Sequence, residues 1–261
     1  MKKLSVQDFL SYINKAIIDF ENEKANERTS NKTLGVIYTP KPLVDYMVLK
    51  VFKLYFEEFY NLLKFSTTDS FFIDLKHYLY KTNNLKIDLI KKLKTIKILD
   101  PACGSGRFLL STAEKLYQFY RILNPALDNY EIKRNIIKEN LYGVEIEKSA
   151  YIITKLRLIS WLFSDNKMIL KLPDFNLENL HIEEIEKIIQ SFDIKLNLFN
   201  LDFLLEFDSE MFDIIIGNPP YVENKKIKNA EFKKKLTKRF KSAYRLFDLS
   251  VLFIEKSLEL L

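Results

Sequence analysis

Apolar residues recur at helical spacing from the start of the chain. Val6, Phe9, Leu10, Ile13, Ile17 and Phe20 define one face of a helix within 5–26, and the polar run 21–33 closes it. Residues 34–41 (LGVIYTPK) read as short and extended; Pro42 then suits a first helical position, and Val44, Met47, Val48, Val51, Leu54 and Tyr55 carry a second helix. The glycine-free stretch 60–94 reads as further helix. At 95–99 (TIKIL) the pattern changes to a short buried-type strand. It is followed by a helix over 107–123, a helix over 130–139, the strand LYGVEI (141–146) and a helix over 148–163. A polar, proline-containing stretch, 164–193, looks like an insertion. KLNLF (195–199) and FDIIIG (212–217) are two more strands, and 246–261 closes as helix. Strands alternating with helices predict an α/β domain over 95–261, a parallel sheet covered on both faces, preceded by a helical region over 1–94.

The backbone-special residues break this pattern in an informative way. Glycine numbers only 5 in 261 residues, about 2% where roughly 7% is usual. All five glycines and five of the seven prolines fall in four stretches, 35–42, 100–106, 143–145 and 217–221. Those are the places where the backbone must turn sharply or approach something closely.

Composition and charge add less. A single cysteine, Cys103, excludes an internal disulfide and favours a reducing compartment. The start reaches Asp8 before any apolar run, unlike a signal peptide, and the best apolar stretch, 151–163, contains Lys155 and Arg157. A cytoplasmic location without membrane contact is expected. The net charge of +6 is concentrated: residues 223–245 hold ten Lys and Arg against two Glu, a net of +8, while the remainder is −2. A run of lysines is often only a solvated helix face, but one that carries the whole excess points to a polyanion. Lys225, Lys226, Lys228, Lys233, Lys234, Lys235, Lys238, Arg239 and Lys241 are the candidate DNA contacts.

In DPACGSGRF (100–108), strand, Gly-x-Gly and helix follow one another, a geometry that brings backbone close to a ligand at a helix N-terminus. Phe108 and Leu109 stand near where the dinucleotide fingerprint needs a third glycine, and no lysine follows to make a phosphate loop. Glu145 and Asp202, like Asp100, end strands at the edge where α/β proteins bind ligands; a carboxylate there can accept both hydroxyls of a ribose. At Asn218-Pro219-Pro220-Tyr221 two prolines remove N–H donors and stiffen the turn. An amide oxygen beside a rigid carbonyl is then suited to gripping an NH2 group, with a tyrosine ring to stack on. The histidines, His77 and His181, lie away from these stretches, and neither metal nor histidine chemistry is expected.

Taken in order, YTP (38–40), DPACGSGRFL (100–109), YGVEI (142–146), NLDF (200–203), NPPYV (218–222) and DLSVLFIEKSLELL (248–261) resemble the adenine-specific DNA methyltransferases of restriction–modification systems. The resemblance implies a Rossmann-like fold with S-adenosylmethionine as cofactor and base flipping of the target adenine. Carried over, Tyr38, Thr39 and Pro40 line the methionine end, and Asp100, Ala102, Gly104 and Gly106 hold the amino-acid moiety. Glu145 binds the ribose with Ile146 against the adenine ring, while Asp202 accepts from the adenine amine beside Phe203. Asn218 and the Pro219 carbonyl bind the target amine, with Pro220 stiffening the turn and Tyr221 stacking on the flipped base. Double-stranded DNA is the implied partner, with a cognate restriction endonuclease as a further one.

Two positions depart from the family pattern: Arg107, where a small residue is usual, and Ser250, where tyrosine is. Length departs as well. Family members continue with further strands and a target-recognition domain, so the sheet is expected to be incomplete and a downstream polypeptide to supply the rest. Two alternatives share motifs with this reading. Glutamine methyltransferases of release factors also use NPPY but lack the Pro-Ala-Cys of 101–103, and a non-catalytic remnant that binds cofactor and DNA shares every motif.

Overall fold

The computed structural model describes residues 2–30, 39–60, 63–81, 83–165, 169–172, 187, 190, 192, 194–209 and 211–261. A short strand β1 (Lys2–Ser5) leads into α1 (Val6–Ser30), followed by α2 (Lys41–Phe59), α3 (Phe71–Lys81) and α4 (Asn83–Thr95). The α/β part then runs β2 (Ile98–Asp100), α5 (Arg107–Leu123), α6 (Asn129–Asn135), β3 (Leu141–Val144), α7 (Lys148–Phe163), β4 (Ile169–Leu172), β5 (Asn197–Phe199) and β6 (Ile214–Ile215). It ends with α8 (Ala230–Arg239) and α9 (Leu249–Glu259). None of the described helices is long and apolar enough to cross a membrane.

The main sheet is wholly parallel, in the order β5-β3-β2-β6, with Ile98 level with both Leu141 and Ile214. Its pleat divides the core into two layers. Ile98, Leu141, Leu198 and Ile214 join one cluster with α1 to α7, and Leu99 and Val144 join the other with the turn 202–207, α8 and α9. This is the Rossmann-like α/β arrangement, covered on both faces, that the alternation of strands and helices predicts. The helical layer rests on an aromatic knot: Phe52, Phe56, Phe71 and Phe119 are all fully buried, and the Phe56 and Phe119 rings lie 4.9 Å apart.

Several local outcomes differ from the pattern-based expectation. The stretch taken as an insertion contributes β4, which pairs antiparallel with β1; four-residue strands carry too little periodicity to announce themselves. Most of 164–193, including His181, lies outside the described residues. The helix expected over 130–139 is α6 followed by a π-helical turn at Ile136–Asn140, where buried Asn140 donates to the carbonyls of Leu93 and Ile96. In the basic segment Asn229 caps α8 by accepting from Phe232 N, and half of the segment's lysines sit on that helix.

Two charged side chains, buried Lys256 and half-buried Asp213, tie layers together. Lys256 of α9 donates to the carbonyls of Phe203, Leu204 and Phe207, closing the turn that carries Asp202. Asp213, just before β6, accepts from Tyr55 OH (2.8 Å), Lys92 Nζ (2.6 Å) and Lys97 N (2.8 Å), which binds α2 and α4 to the sheet. Burial alone would raise the Asp213 pKa, but the hydrogen bonds from Lys92, Lys97 N and Tyr55 outweigh it and hold the carboxyl below its ordinary value. Its stabilising contribution is therefore present above the unfolded carboxylate range and is lost as pH falls through the lower folded value. Asp213→Asn is expected to cost about 1.5–3 kcal/mol in urea denaturation at neutral pH, the range for hydrogen bonds to a charged group, and to flatten the acid limb of the stability curve. An unchanged midpoint with an unchanged acid limb would show that the cluster is only a surface ion pair.

Candidate functional site

The carboxyl ends of β2, β3 and β5 open into one cavity of about 220 Å³. Its walls include Thr39, Ala102, Gly104, Glu145, Ile146, Asp202, Phe203, Asn218 and Pro220. Four of the sequence-predicted stretches, distant along the chain, thus meet in one place. This is the switch-point side of a parallel sheet, where strand ends leave a crevice.

The floor is the turn between β2 and α5. Gly104 and Gly106 take positive φ, 54° and 81°, and a Cβ on Gly106 would fall 2.9 Å from Thr154 Cγ2. The turn's polar groups are engaged all round: Cys103 N donates to Val144 O, Gly104 N to Glu145 Oε2 (2.8 Å), Thr154 Oγ1 to Gly104 O (2.7 Å), and Arg157 Nε to Ser105 O (2.6 Å). Glu145 is itself oriented, since Glu147 N donates to its Oε1 at 2.8 Å. Asp202 lines the pocket while its Oδ1 accepts from Leu204 N and Leu205 N, and Phe203 stacks on Phe253 with ring centroids 5.1 Å apart. Ile146 presents an exposed side chain at the rim.

Asp100 lies behind this wall, 1% exposed. Its Oδ1 accepts from Ala102 N, and its Oδ2 is buried with no hydrogen-bond partner among the described residues. Burial, with Glu145 nearby, pushes its pKa up to about 8, and burial likewise raises that of Glu145. Gly217 abuts it so closely that a Cβ would come 2.4 Å from Asp100 Oδ1. Asn218 follows at once, and its Nδ2 donates to Thr39 Oγ1 at 3.2 Å.

The other predicted site residues take these places. Pro40 is exposed, and its carbonyl starts α2 by accepting from Leu43 N and Val44 N. Pro219 is half-buried, and Tyr221 is 51% exposed just past the pocket. Tyr38 lies outside the described residues. On and around α8, Lys228, Lys234, Lys238 and Lys241 are exposed and Lys233 is half-buried. Lys225 and Lys226 pair with Glu223, Lys235 with Glu231, and Arg239 with Glu259.

Sequence reasoning passed over a charged cluster beneath the floor. Glu21, in the polar run expected to close the first helix, accepts from Ser105 Oγ (3.0 Å), Arg107 Nε (3.0 Å) and Nη2 (2.8 Å), and Arg157 Nη2 (2.6 Å). Burial would raise its pKa, but the hydrogen bond from Arg107 and the two arginine charges prevail and lower it. The signal was present in Arg107 itself: an arginine in a position that faces a packed layer requires a carboxylate partner.

The donor set fits S-adenosylmethionine. An unpartnered buried carboxylate oxygen suits a cationic ligand, Glu145 suits a ribose diol, Asp202 an adenine amine, and Ile146 and Phe203 the faces of a ring.

Comparison with known proteins agrees. Residues 139–261 match the model of the Eco57I restriction-modification methylase family. A chain from Methanocaldococcus jannaschii, named as a type II restriction enzyme and methyltransferase, is 31% identical over 193 residues, covering 69% of this chain and 15% of its own. The type II restriction enzyme and methyltransferase RM.Eco57I of Escherichia coli is 28% identical over 192 residues, covering 63% and 18%. The type II methyltransferase M.BstVI of Geobacillus stearothermophilus is 32% identical over 180 residues, covering 66% and 27%. This chain therefore spans between 15% and 27% of the length of these relatives. By motif order and by family model alike, residues 139–261 are similar to the restriction–modification methylases of the Eco57I family.

Proposed function

We propose that this chain supplies the cofactor site and the amine-binding residues of a DNA methyltransferase that modifies the exocyclic N6 amine of adenine. The observation that carries the reading is a single pocket lined at once by Gly104, Glu145 and Asp202 on one side and Asn218 and Pro220 on the other. When bound, S-adenosylmethionine supplies a methyl group on a positively charged sulfur. The chain's own part is to bind, orient and polarise.

Adenine's exocyclic nitrogen is a weak nucleophile because its lone pair is delocalised into the ring. Asn218 Oδ1 and the Pro219 carbonyl, each accepting one N–H, draw the nitrogen toward a tetrahedral geometry with a localised lone pair, and stabilise the positive charge that develops on it. Tyr221, half exposed beside them, offers its face to a base taken out of the duplex. The exposed lysines of α8 hold the phosphate backbone, whatever its sequence. The release-factor alternative gains no support, since the relatives named above are restriction–modification methyltransferases.

Three outcomes test this reading. Burial keeps Asp100 protonated at neutral pH, with its pKa pushed up to about 8. A cationic ligand beside it favours the carboxylate, so binding releases a proton and affinity rises as pH is raised toward 8, by at most about tenfold per unit. Calorimetry on wild type and Asp100→Asn isolates this contribution from the cofactor's own titration; identical pH profiles for the two would exclude it. Asn218→Ala is expected to leave S-adenosylmethionine affinity within about twofold while lowering methyl transfer by orders of magnitude, because the lost contact strengthens in the transition state. A wild-type transfer rate in that variant would sink the catalytic assignment. Finally, DNA binding by the chain should be insensitive to sequence and steep in salt. If Lys228, Lys234, Lys238 and Lys241 each neutralise a phosphate, the log–log slope is about −3.6, and Lys234→Gln with Lys238→Gln should make it shallower by about 1.8. A slope untouched by that double change would move the DNA contact off α8.

A further inference from the structure

Arg107 stands immediately after the second glycine of the cofactor turn, a cation beside a pocket suited to a cationic ligand. On charge alone it opposes that ligand, so it must be neutralised and must do something else. Glu21 of α1 neutralises it in the two-pronged geometry, with Nε on Oε1 (3.0 Å) and Nη2 on Oε2 (2.8 Å). The remaining terminal nitrogen, Nη1, donates to the carbonyl of Thr39 at 3.1 Å. Thr39 in turn accepts from Nδ2 of Asn218 at 3.2 Å. The Glu21 and Arg107 side chains are 19% and 28% exposed, and Arg157 and Ser105 hold the same carboxylate from the other side. One continuous run of polar contacts therefore joins the N-terminal helix to the residue that grips the substrate amine.

We propose that Glu21 and Arg107 are positioning residues for Asn218: together they hold Thr39 where its hydroxyl selects the working orientation of the Asn218 amide. An asparagine amide can turn over, exchanging its oxygen for its nitrogen. Only the oxygen can accept from a substrate N–H. With Nδ2 committed to Thr39, Oδ1 points the other way across the amide plane. Thr39 needs an outside hold because it precedes Pro40, which has no N–H, and the carbonyl of Pro40 is spent on starting α2. The choice of arginine follows. Its planar fork can hold a carboxylate with two donors and a carbonyl with a third, whereas a lysine offers one point of charge. Family members with a small residue at this position cannot make the link, so α1 is coupled to the site in this chain by residues of its own. The inference rests on the methyltransferase reading for its purpose, but its geometry is testable without activity.

The first measurement is the side-chain amide resonances of Asn218, identified by their loss in Asn218→Ala, in wild type, Glu21→Gln, Arg107→Lys, the double variant and Thr39→Val. All four variants are expected to shift them, and the double should shift them no further than either of its singles. In a methylation-competent form of the protein, kcat is expected to fall about tenfold in Glu21→Gln and Arg107→Lys, with KM for the cofactor changed less than about threefold and no additivity in the double. Thr39→Ser, which keeps the hydroxyl, should restore both signals. If Thr39→Val moves the Asn218 resonances while Glu21→Gln and Arg107→Lys do not, the link ends at Thr39 and the proposal is overturned. Additive losses in kcat overturn it too. Glu21→Gln is isosteric and stays on the same helix, so it decides the matter if Arg107→Lys melts early. Failure of the wild type to bind S-adenosylmethionine would count against the proposed function and leave the resonance result standing on its own.

Discussion

The pairing of β2 with β6 is the constraint from which the site follows. Parallel register sets Leu99 beside Ile215. Two residues past Ile215, Gly217 closes against Asp100 with no room for a side chain. The two segments that leave these strands are the glycine turn and Asn218-Pro219-Pro220. Because their strands are neighbours in the sheet, though more than a hundred residues apart in sequence, the two turns emerge into the same crevice. A one-residue slip of β2 would reverse its side chains and turn Asp100 to the wrong layer, and a slip of β6 would part Gly217 from Asp100.

The same pairing creates an electrostatic problem. Asp100 is sealed beneath the pocket with one oxygen unpartnered among the described residues, and Glu145 is largely buried beside it. Burial raises the pKa of both, with the Glu145 charge adding to the rise at Asp100 and that of Glu147 to the rise at Glu145. A well-packed apolar pair would be more stable, and acids held in this state are what a positively charged ligand relieves. The surplus of positive charge lies instead on and around α8, on the opposite layer of the sheet. The acids are thus gathered at the crevice and the surplus of bases at the surface.

Much of this was legible in the chain because the strongest signals are those of backbone geometry. Ten glycines and prolines gathered in four stretches marked the turns, and α7 begins and ends where its period does. What escaped notice had physical reasons. β1 and β4 are four residues each and find each other across the whole α/β unit, a pairing no local period encodes. Nothing in the closing helix's pattern distinguishes Lys256, and only the fold shows three carbonyls converging on it. Pro40 carries a family motif in the sequence, yet in the fold its carbonyl serves the first turn of α2. Glu21 sits in a run of charged residues that has no distinguishing pattern, and its role exists only once Arg107 and Arg157 are brought to it.

That last case bears on how the N-terminal region relates to the α/β part. The helices before β2 are packed into one continuous core with α5 and α7, so they are not a separable appendage. Apolar burial of this kind fixes α1 on α7 but, being non-directional, is less exacting about small slides along the helix axes than hydrogen bonds are. A carboxylate shared by two arginines and a serine is not indifferent: a displacement of one ångström would break hydrogen bonds that are 2.6–3.0 Å long. The hydrophobic layer thus supplies most of the adhesion between the two regions, while Glu21 supplies the register, and it does so at the turn where register matters to a bound ligand. The arrangement follows a general division of labour, in which burial brings elements together and a satisfied polar cluster decides which of several equally greasy alignments is kept.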